Sequence, residues 1–264
     1  MITDIHCHVF PDRIARKAAL SIGEFYGIPM QHDGTLDAML ALEDAAGIGR
    51  TCIHSVAVTP HSMSSINRFI AECVGAHPGR LTGFGAIHPD CGDLYAVMEE
   101  VKALGLKGFK IHPDMQLFAL DEPRAMRMFE AIAAAGLPVI IHTGDPRHEY
   151  SRPRQMKHVT EAFPDLTCVC AHLGGWGEWD EGWKELAAFE NVYVDTCGSL
   201  YAMKPEDAVR VIRTYAPERV LFGTDYPMWD PREELDRFMK LELTDGERER
   251  ILEKNADALL RERD

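Results

Sequence analysis

Short aliphatic runs alternate with amphipathic stretches along the whole chain, separated by polar and glycine-containing turns. Eight runs, at residues 2–6, 51–58, 81–87, 108–112, 138–142, 166–172, 192–195 and 220–225, are too short for helices and predict strands. Between them apolar positions recur every three or four residues. That spacing predicts helices over 35–46, 64–76, 94–104, 123–135, 154–163, 179–189 and 205–215, and two more starting at Glu233 and Thr244. Boundary chemistry agrees: Thr35 stands where a cap is needed, Pro78-Gly79, Gly105 and Gly136 stop helices, and Pro205 opens one. The stretch between the first strand and residue 35, with Phe10-Pro11-Asp12 and Tyr26-Gly27-Ile28-Pro29, is expected to be a long loop carrying specificity.

Strands that alternate with helices imply parallel pairing through helical crossovers, the α/β class. Eight such units without a linker or a change of composition predict one domain over residues 1–264, a closed (β/α)8 TIM barrel. The length of 264 residues matches the typical size of about 250. An open doubly wound sheet is the alternative, but no G-x-G-x-x-G turn follows the first strand. Lys+Arg total 28 against 42 Asp+Glu, a net charge of −14, which argues against nucleic-acid and anionic-membrane partners. The seven cysteines show neither paired C-x-x-C units nor a secreted disulfide spacing, so they are expected as buried small hydrophobes. The start lacks a basic-then-apolar leader, and no apolar run reaches the about 20 residues of a membrane span. The expected setting is cytoplasmic.

In such a barrel the chemistry sits at the C-terminal strand ends. There the chain carries His6-Cys7-His8, Lys110-Ile111-His112, His142, His172, Asp195 and Asp225, with His54 and His88 nearby. Only His32, His61, His77, His148 and His158 lie well away from strand ends. Side chains two apart on a strand share a face, their backbones about 6.5–7 Å apart. His6 and His8 can therefore reach one ion at bonds of about 2.0–2.1 Å, while Cys7 points away. Any single histidine here also reads as an ordinary hydrogen-bonded residue; the joint placement is the signal. Lys110 shares a face with His112 and should point inward, where a buried amine needs an anionic partner. Trp176, Trp179 and Trp183 serve equally as pocket wall or helix packing. Tyr226, Met228 and Trp229 are candidate cavity lining. Arg147 and Arg152 serve equally as anion contacts or surface charge.

His6-x-His8, His142, His172 in "AHLGG", Asp225 in "FGTDYP" and the closing "ILEKNADALL" around Asn255 together resemble the amidohydrolase superfamily. The nearest branch is the amidohydrolase-related group of aminocarboxymuconate-semialdehyde decarboxylase and the resorcylate decarboxylases. The resemblance runs over the whole chain. It implies a mononuclear site, usually zinc with manganese as the other option, with His6, His8, His142 and Asp225 as ligands. It also implies that Asp225 takes a proton from the activated water, and that His172 acts as acid, base or oxyanion stabiliser. The bland alternatives are His172 as a supporting partner of the ligands and Asp225 as a helix cap. For Lys110 three roles stay open: a carboxylated lysine bridging two metals, a cation for a substrate carboxylate, or an ion pair with Asp225 or Asp195. The second is preferred, with His112 as a further polar contact.

The expected activity is therefore a metal-dependent hydrolase acting on a small, carboxylate-bearing molecule. A nonoxidative decarboxylase is the main alternative, a hydratase the third, and a non-catalytic metal- or ligand-binding protein the rival of another class. A neighbouring subunit of a homo-oligomer is the expected completion of a pocket without long inserted lids.

Overall fold

In a computed structural model, which describes residues 1–260, β-structure lies where the aliphatic runs predict it. Strands β1 (Thr3–His8), β2 (Arg50–His54) and β3 (Leu81–Gly83) form one parallel set. Strands β4 (Gly85–Ala86), β5 (Phe109–Ile111), β6 (Val139–Ile141), β7 (Cys168–Cys170), β8 (Val192–Asp195) and β9 (Val220–Leu221) form another. β3 and β4 are one barrel strand interrupted at Phe84. Hydrogen bonds span the interruption, from Phe84 N–H to the Ile53 carbonyl at 3.0 Å and from Gly85 N–H to Gly108 at 2.8 Å. The barrel closes where Ile5 N–H donates to the Phe222 carbonyl (2.9 Å) and His8 N–H to that of Tyr226 (2.7 Å). The result is a single-domain (β/α)8 barrel.

The helices are α1 (Asp12–Tyr26), α2 (Leu36–Ala46), α3 (Met63–Ala76), α4 (Leu94–Ala103), α5 (Pro113–Gln116), α6 (Pro123–Ala134), α7 (Pro153–Ala162), α8 (Trp179–Leu186), α9 (Pro205–Tyr215), α10 (Pro231–Met239), α11 (Asp245–Glu249) and α12 (Asn255–Leu260). Two expectations are corrected. The long loop after the first strand contains α1, which Pro11 precedes and left-handed Gly27 (φ 68°) terminates. Thr35 sits at the cap of α2, but its hydroxyl donates to Asp33 Oδ1 (2.8 Å) instead of accepting from the helix. Among the described residues no helix is long and apolar enough to cross a membrane.

Strand alternation sorts the core. Ile53, Phe109, Ile111, Val139, Ile141, Cys168 and Val194 face outward onto the helices. Ile5, Cys52, Phe84, Ile140, Val169 and Leu221 face inward and form the barrel floor, against Ala256 and Leu259 of α12. Full burial of each large aliphatic contributes about 1.5–3 kcal/mol. Asn255, in the closing motif, donates from Nδ2 to the carbonyls of Pro217 and Val220, both at 2.7 Å, and so pins α12 beneath β9. Two residues beyond the floor positions, period two brings His54, His112, His142 and Asp195 inward.

β1 departs from simple alternation. Its ladder with β2 slips between Asp4 and Cys7, and His6 N–H donates to Asp4 Oδ1 (2.9 Å) instead of to a neighbouring strand. A bulge of this kind re-aims a side chain. Ile5 can thus face the floor while His6, next in sequence, faces the site. Cys7 is turned outward as expected, with its thiol donating to Asp4 Oδ2 at 3.1 Å.

Candidate active site

His6 enters on the bulge, His8 at the end of β1, and Asp225 on the turn after β9. Asp225 N–H donates to the His6 carbonyl (2.9 Å), which ties these elements together. His6 Nε2 and His8 Nε2 lie 3.7 and 3.6 Å from Asp225 Oδ1. A tetrahedral ion with bonds of about 2.0–2.1 Å would separate its ligands by about 3.3 Å, so the spacing is close to that required. Behind them, His6 Nδ1 donates to Asp195 Oδ2 (2.8 Å), which leaves the lone pair on Nε2. Asp195 Oδ1 accepts from the His172 backbone N–H (2.9 Å) and the Cys197 thiol (3.0 Å). One buried carboxylate therefore orients both His6 and the His172 segment.

His172 (φ 60°), Leu173 (φ 52°) and Asp225 (φ 62°) are left-handed without being glycine, a strain that clusters at functional sites. Leu173 N–H, donating to the Asp195 carbonyl at 2.7 Å, helps to hold the first pair. Gly198 is left-handed too, and a Cβ there would lie 3.0 Å from His172 Nδ1 and 3.3 Å from Asp225 Oδ2. His172 Nδ1 donates to the Cys197 carbonyl (3.0 Å), so its Nε2 accepts from His142 Nδ1 (2.9 Å). That network assigns the free lone pair of His142 to Nε2, which is buried and has no hydrogen-bond partner.

Burial lowers the pKa of His6, His8 and His142, and nearby Lys110 adds to the shift; neutral imidazole is the ligand form. His172 falls to about 4, mainly through burial, with Asp195 opposing. Burial pushes the Asp225 carboxyl well up, against the pull of Lys110. Lys110, 1% exposed, donates from Nζ to His6 Nε2 at 2.8 Å. Burial lowers its pKa, while Cys197, Asp195 and Asp225 oppose that shift.

Of the four ligand candidates, His6, His8 and Asp225 converge directly. His142 joins them through His172, whose ring is 4.8 Å from that of His142 and 5.5 Å from that of His6. His142 Nε2 is 3.8 Å from Asp114 Oδ2. The His6 and His8 nitrogens and the Asp225 oxygen are donors suited to a divalent ion, so these three fit one, while the orphaned nitrogen of His142 lies in a neighbouring group with His112 and Asp114. His112 stacks on His142 at 3.9 Å, and its Nδ1 accepts from Met115 N–H (3.3 Å). Its Nε2 therefore donates to Tyr26 Oη (2.5 Å), which leaves the phenol proton free for a ligand.

Two participants, Tyr26 and His54, have no role in the sequence reading, and Asp195 enters it only as a strand-end acid and a candidate ion-pair partner of Lys110. Tyr26 falls in the expected loop, and only the helix α1 carries it to the site. The structure gives Asp195 His6 and the His172 backbone as partners. His54 is buried edge-on to His6 and His8, at 4.9 and 4.5 Å, with both ring nitrogens unpartnered. Other candidates fall outside the cavity wall. Arg147 is held by Asp145 (2.6 Å) and lies over the rings of Phe25, Tyr26 and Trp176, and Arg152 pairs with Glu149 (2.7 Å) and Glu178. Trp179 donates to Ser199, and Tyr226 to the Thr35 carbonyl, while Met228 does line the cavity.

The site opens into a cavity of about 640 Å³ whose wall includes His6, His8, Lys110, His142, His172 and Asp225. The sequence profile of the amidohydrolase family matches residues 3–261. The chain belongs to the amidohydrolase family. Among solved structures, an uncharacterized TIM-barrel protein of Bordetella bronchiseptica is 23% identical, with a TM-score of 0.82 and 98% of each chain covered. A dihydroxybenzoic acid decarboxylase of Polaromonas sp. JS666, solved with manganese and the inhibitor 2-nitroresorcinol, is 17% identical, with a TM-score of 0.74 and coverage of 98% and 96%. A Pseudomonas putida protein assigned as a 2-pyrone-4,6-dicarboxylic acid hydrolase is 21% identical, with a TM-score of 0.69 and coverage of 98% and 97%. At these identities the likeness shows the fold. No curated protein matches in sequence. Membership of this enzyme family and the clustered donors support a divalent-metal-dependent, amidohydrolase-type activity. A shared barrel does not by itself name the reaction.

Proposed function

We propose that the chain is a metal-dependent hydrolase of a small, carboxylate-bearing organic molecule. The observation that carries the reading is the approach of His6 Nε2 and His8 Nε2 to Asp225 Oδ1, at 3.7 and 3.6 Å, beside neutral His172. His6, His8, Asp225 and the free nitrogen of His142 would hold zinc or, alternatively, manganese. Such an ion, when bound, supplies Lewis-acid polarisation and a more acidic water. Asp225 directs Oδ1 at the imidazoles, so Oδ2 is the oxygen left to take a proton from the attacking water. Burial favours protonation of that carboxyl, while Lys110 and a bound cation would oppose it. His172 starts neutral and can take up a proton at Nε2 once that nitrogen is released by His142 Nδ1, for later delivery to the leaving group. The free Tyr26 proton is positioned to stabilise a developing anion, and Lys110 is the buried cation available to a substrate carboxylate. The seven cysteines are all free, which fits a cytoplasmic setting.

One observation favours a second reading, nonoxidative decarboxylation. Most of the cavity wall is apolar, and removing water from a carboxylate favours its loss as neutral CO2. A panel of lactones, amides and aromatic acids, scored for both hydrolysis and CO2 release, separates the two. Hydrolysis without CO2 is expected. A chelator should abolish turnover, and zinc or manganese should restore it. Full activity in a metal-free preparation would refute the metal-dependent reading, and tight ligand binding without turnover would favour a binding protein.

A further inference from the structure

The cavity is larger than a compact acid needs. At about 30 Å³ per water, its 640 Å³ would hold about 20 water molecules. A single-ring acid docked at the His6–Asp225 end leaves much of that volume unfilled. The remainder is lined by residues of two helices, α1 and α3. α1 presents Ile14, Ala18, Ile22 and Phe25, spaced at three and four residues, and α3 presents Ile66 and Phe69. An amphipathic helix normally buries such a face against protein; here Ile66 and Phe69 of α3 also pack on the core and Phe25 packs on Tyr26, His112 and His148, so the face given over to the cavity is mainly that of α1, through Ile14, Ala18 and Ile22. At the outer end Ile14, Val58 and Leu117 are 44%, 53% and 63% exposed, so the apolar wall continues to the mouth.

Charge points the same way. Among the described residues lining the cavity, only Lys110 and Arg13 carry fixed positive charge, and Lys110, beside His6 at the reacting end, can serve one carboxylate there. Asp114 and Asp225 are the acidic groups of the wall. Beyond the reacting end only Arg13 and the hydroxyls of Ser21, Ser55, Ser62 and Ser65 could partner further carboxylates, so most positions of a second or third anion would fall against apolar side chains, which is unfavourable.

We propose that the natural substrate is amphiphilic. Its single polar head sits at the His6–Asp225 end, and an apolar arm, longer than one ring, lies between α1 and α3. The inference rests on the reading of that end as the reacting centre, and it adds the class of molecule the rest of the cavity accepts. The arm should gain affinity by burying methylenes, about three- to fourfold for each.

The test uses para-n-alkylbenzoates, from methyl to hexyl, with dissociation constants measured by calorimetry on the metal-loaded full-length protein. Kd should fall about three- to fourfold per methylene until the arm is filled, then level off. Ala18→Phe, on the cavity face of α1, should flatten the series while leaving the affinity for benzoate within about twofold. If that variant does not fold, Ser65→Phe on the facing side of α3 gives the same readout. A series without chain-length dependence overturns the proposal, as does a full slope retained when the space between α1 and α3 is blocked. Binding needs no turnover. Failure of the hydrolase reading would therefore show as absent hydrolysis with the slope intact, and failure of this inference as a flat slope whatever the reaction.

Discussion

The barrel floor and the rim above it are made by the same strands and the turns that follow them, a few residues apart, yet they are held in opposite ways. Ile140, Val169 and Leu221 on the floor interact by burial and packing, which is non-directional and shared over many neighbours. His142, Asp195 and Asp225 at the rim depend on directed hydrogen bonds and left-handed backbone, and burial raises the carboxyl pKa of Asp225 and lowers that of the His142 imidazole. The floor should respond to substitution by degrees, through stability. The rim should respond through chemistry, with little change in folding. Lys110 crosses the division. It lies in register with Ile140 and Ala86 at floor level, but its long stem carries the amine up to His6.

Breaking the rim should have the largest effect. His6→Ala removes a ligand candidate; with several kcal/mol of Lewis-acid stabilisation at stake, kcat/KM should fall about a thousandfold or more. Metal content should drop in parallel while the urea midpoint barely moves. Breaking the floor should do the reverse. Ile140→Ala should cost about 2–5 kcal/mol in denaturant unfolding and leave kcat per folded molecule within about twofold. A floor variant that lost activity without losing stability would erase the distinction.

Asp195→Asn tests the support beneath the rim. An amide oxygen is a weaker acceptor for His6 Nδ1 than a carboxylate, so metal affinity should fall about 10–100-fold, as read by competition with a chelator. The smallest effect is expected at the crossing point. Lys110→Met should raise KM for an acidic substrate about tenfold, the loss of one charged hydrogen bond, and leave metal content unchanged. Loss of one metal equivalent in that variant would instead mark Lys110 as a bridging ligand.

Much of the site's raw material was legible along the chain. His6, His8, Lys110, His112, His142, His172 and Asp225 all occur at strand ends, and period two carries most of them to one side of the sheet. Less legible was what each touches. α1 lacks a Ser, Thr, Asp or Asn at its cap, and its apolar face meets a cavity, so residues 12–26 resembled a loop. Tyr26 went with it. The β1 bulge also escaped the pattern, because simple alternation would turn Ile5 and His6 to opposite faces.

The order of strands and helices, the aliphatic floor and the set of titratable residues at the strand ends follow from local sequence alone. Periodicity and turn chemistry act over a few neighbours and can be read in one dimension. Which nitrogen of His142 is left bare, how Asp195 grips both His6 and the His172 turn, and why Lys110 meets an imidazole were decided only by the closed barrel. So was the space left between α1 and α3. Hydrogen-bond partners more than a hundred residues apart, and volume that no side chain fills, are properties of the packed chain and leave no periodic trace in the sequence.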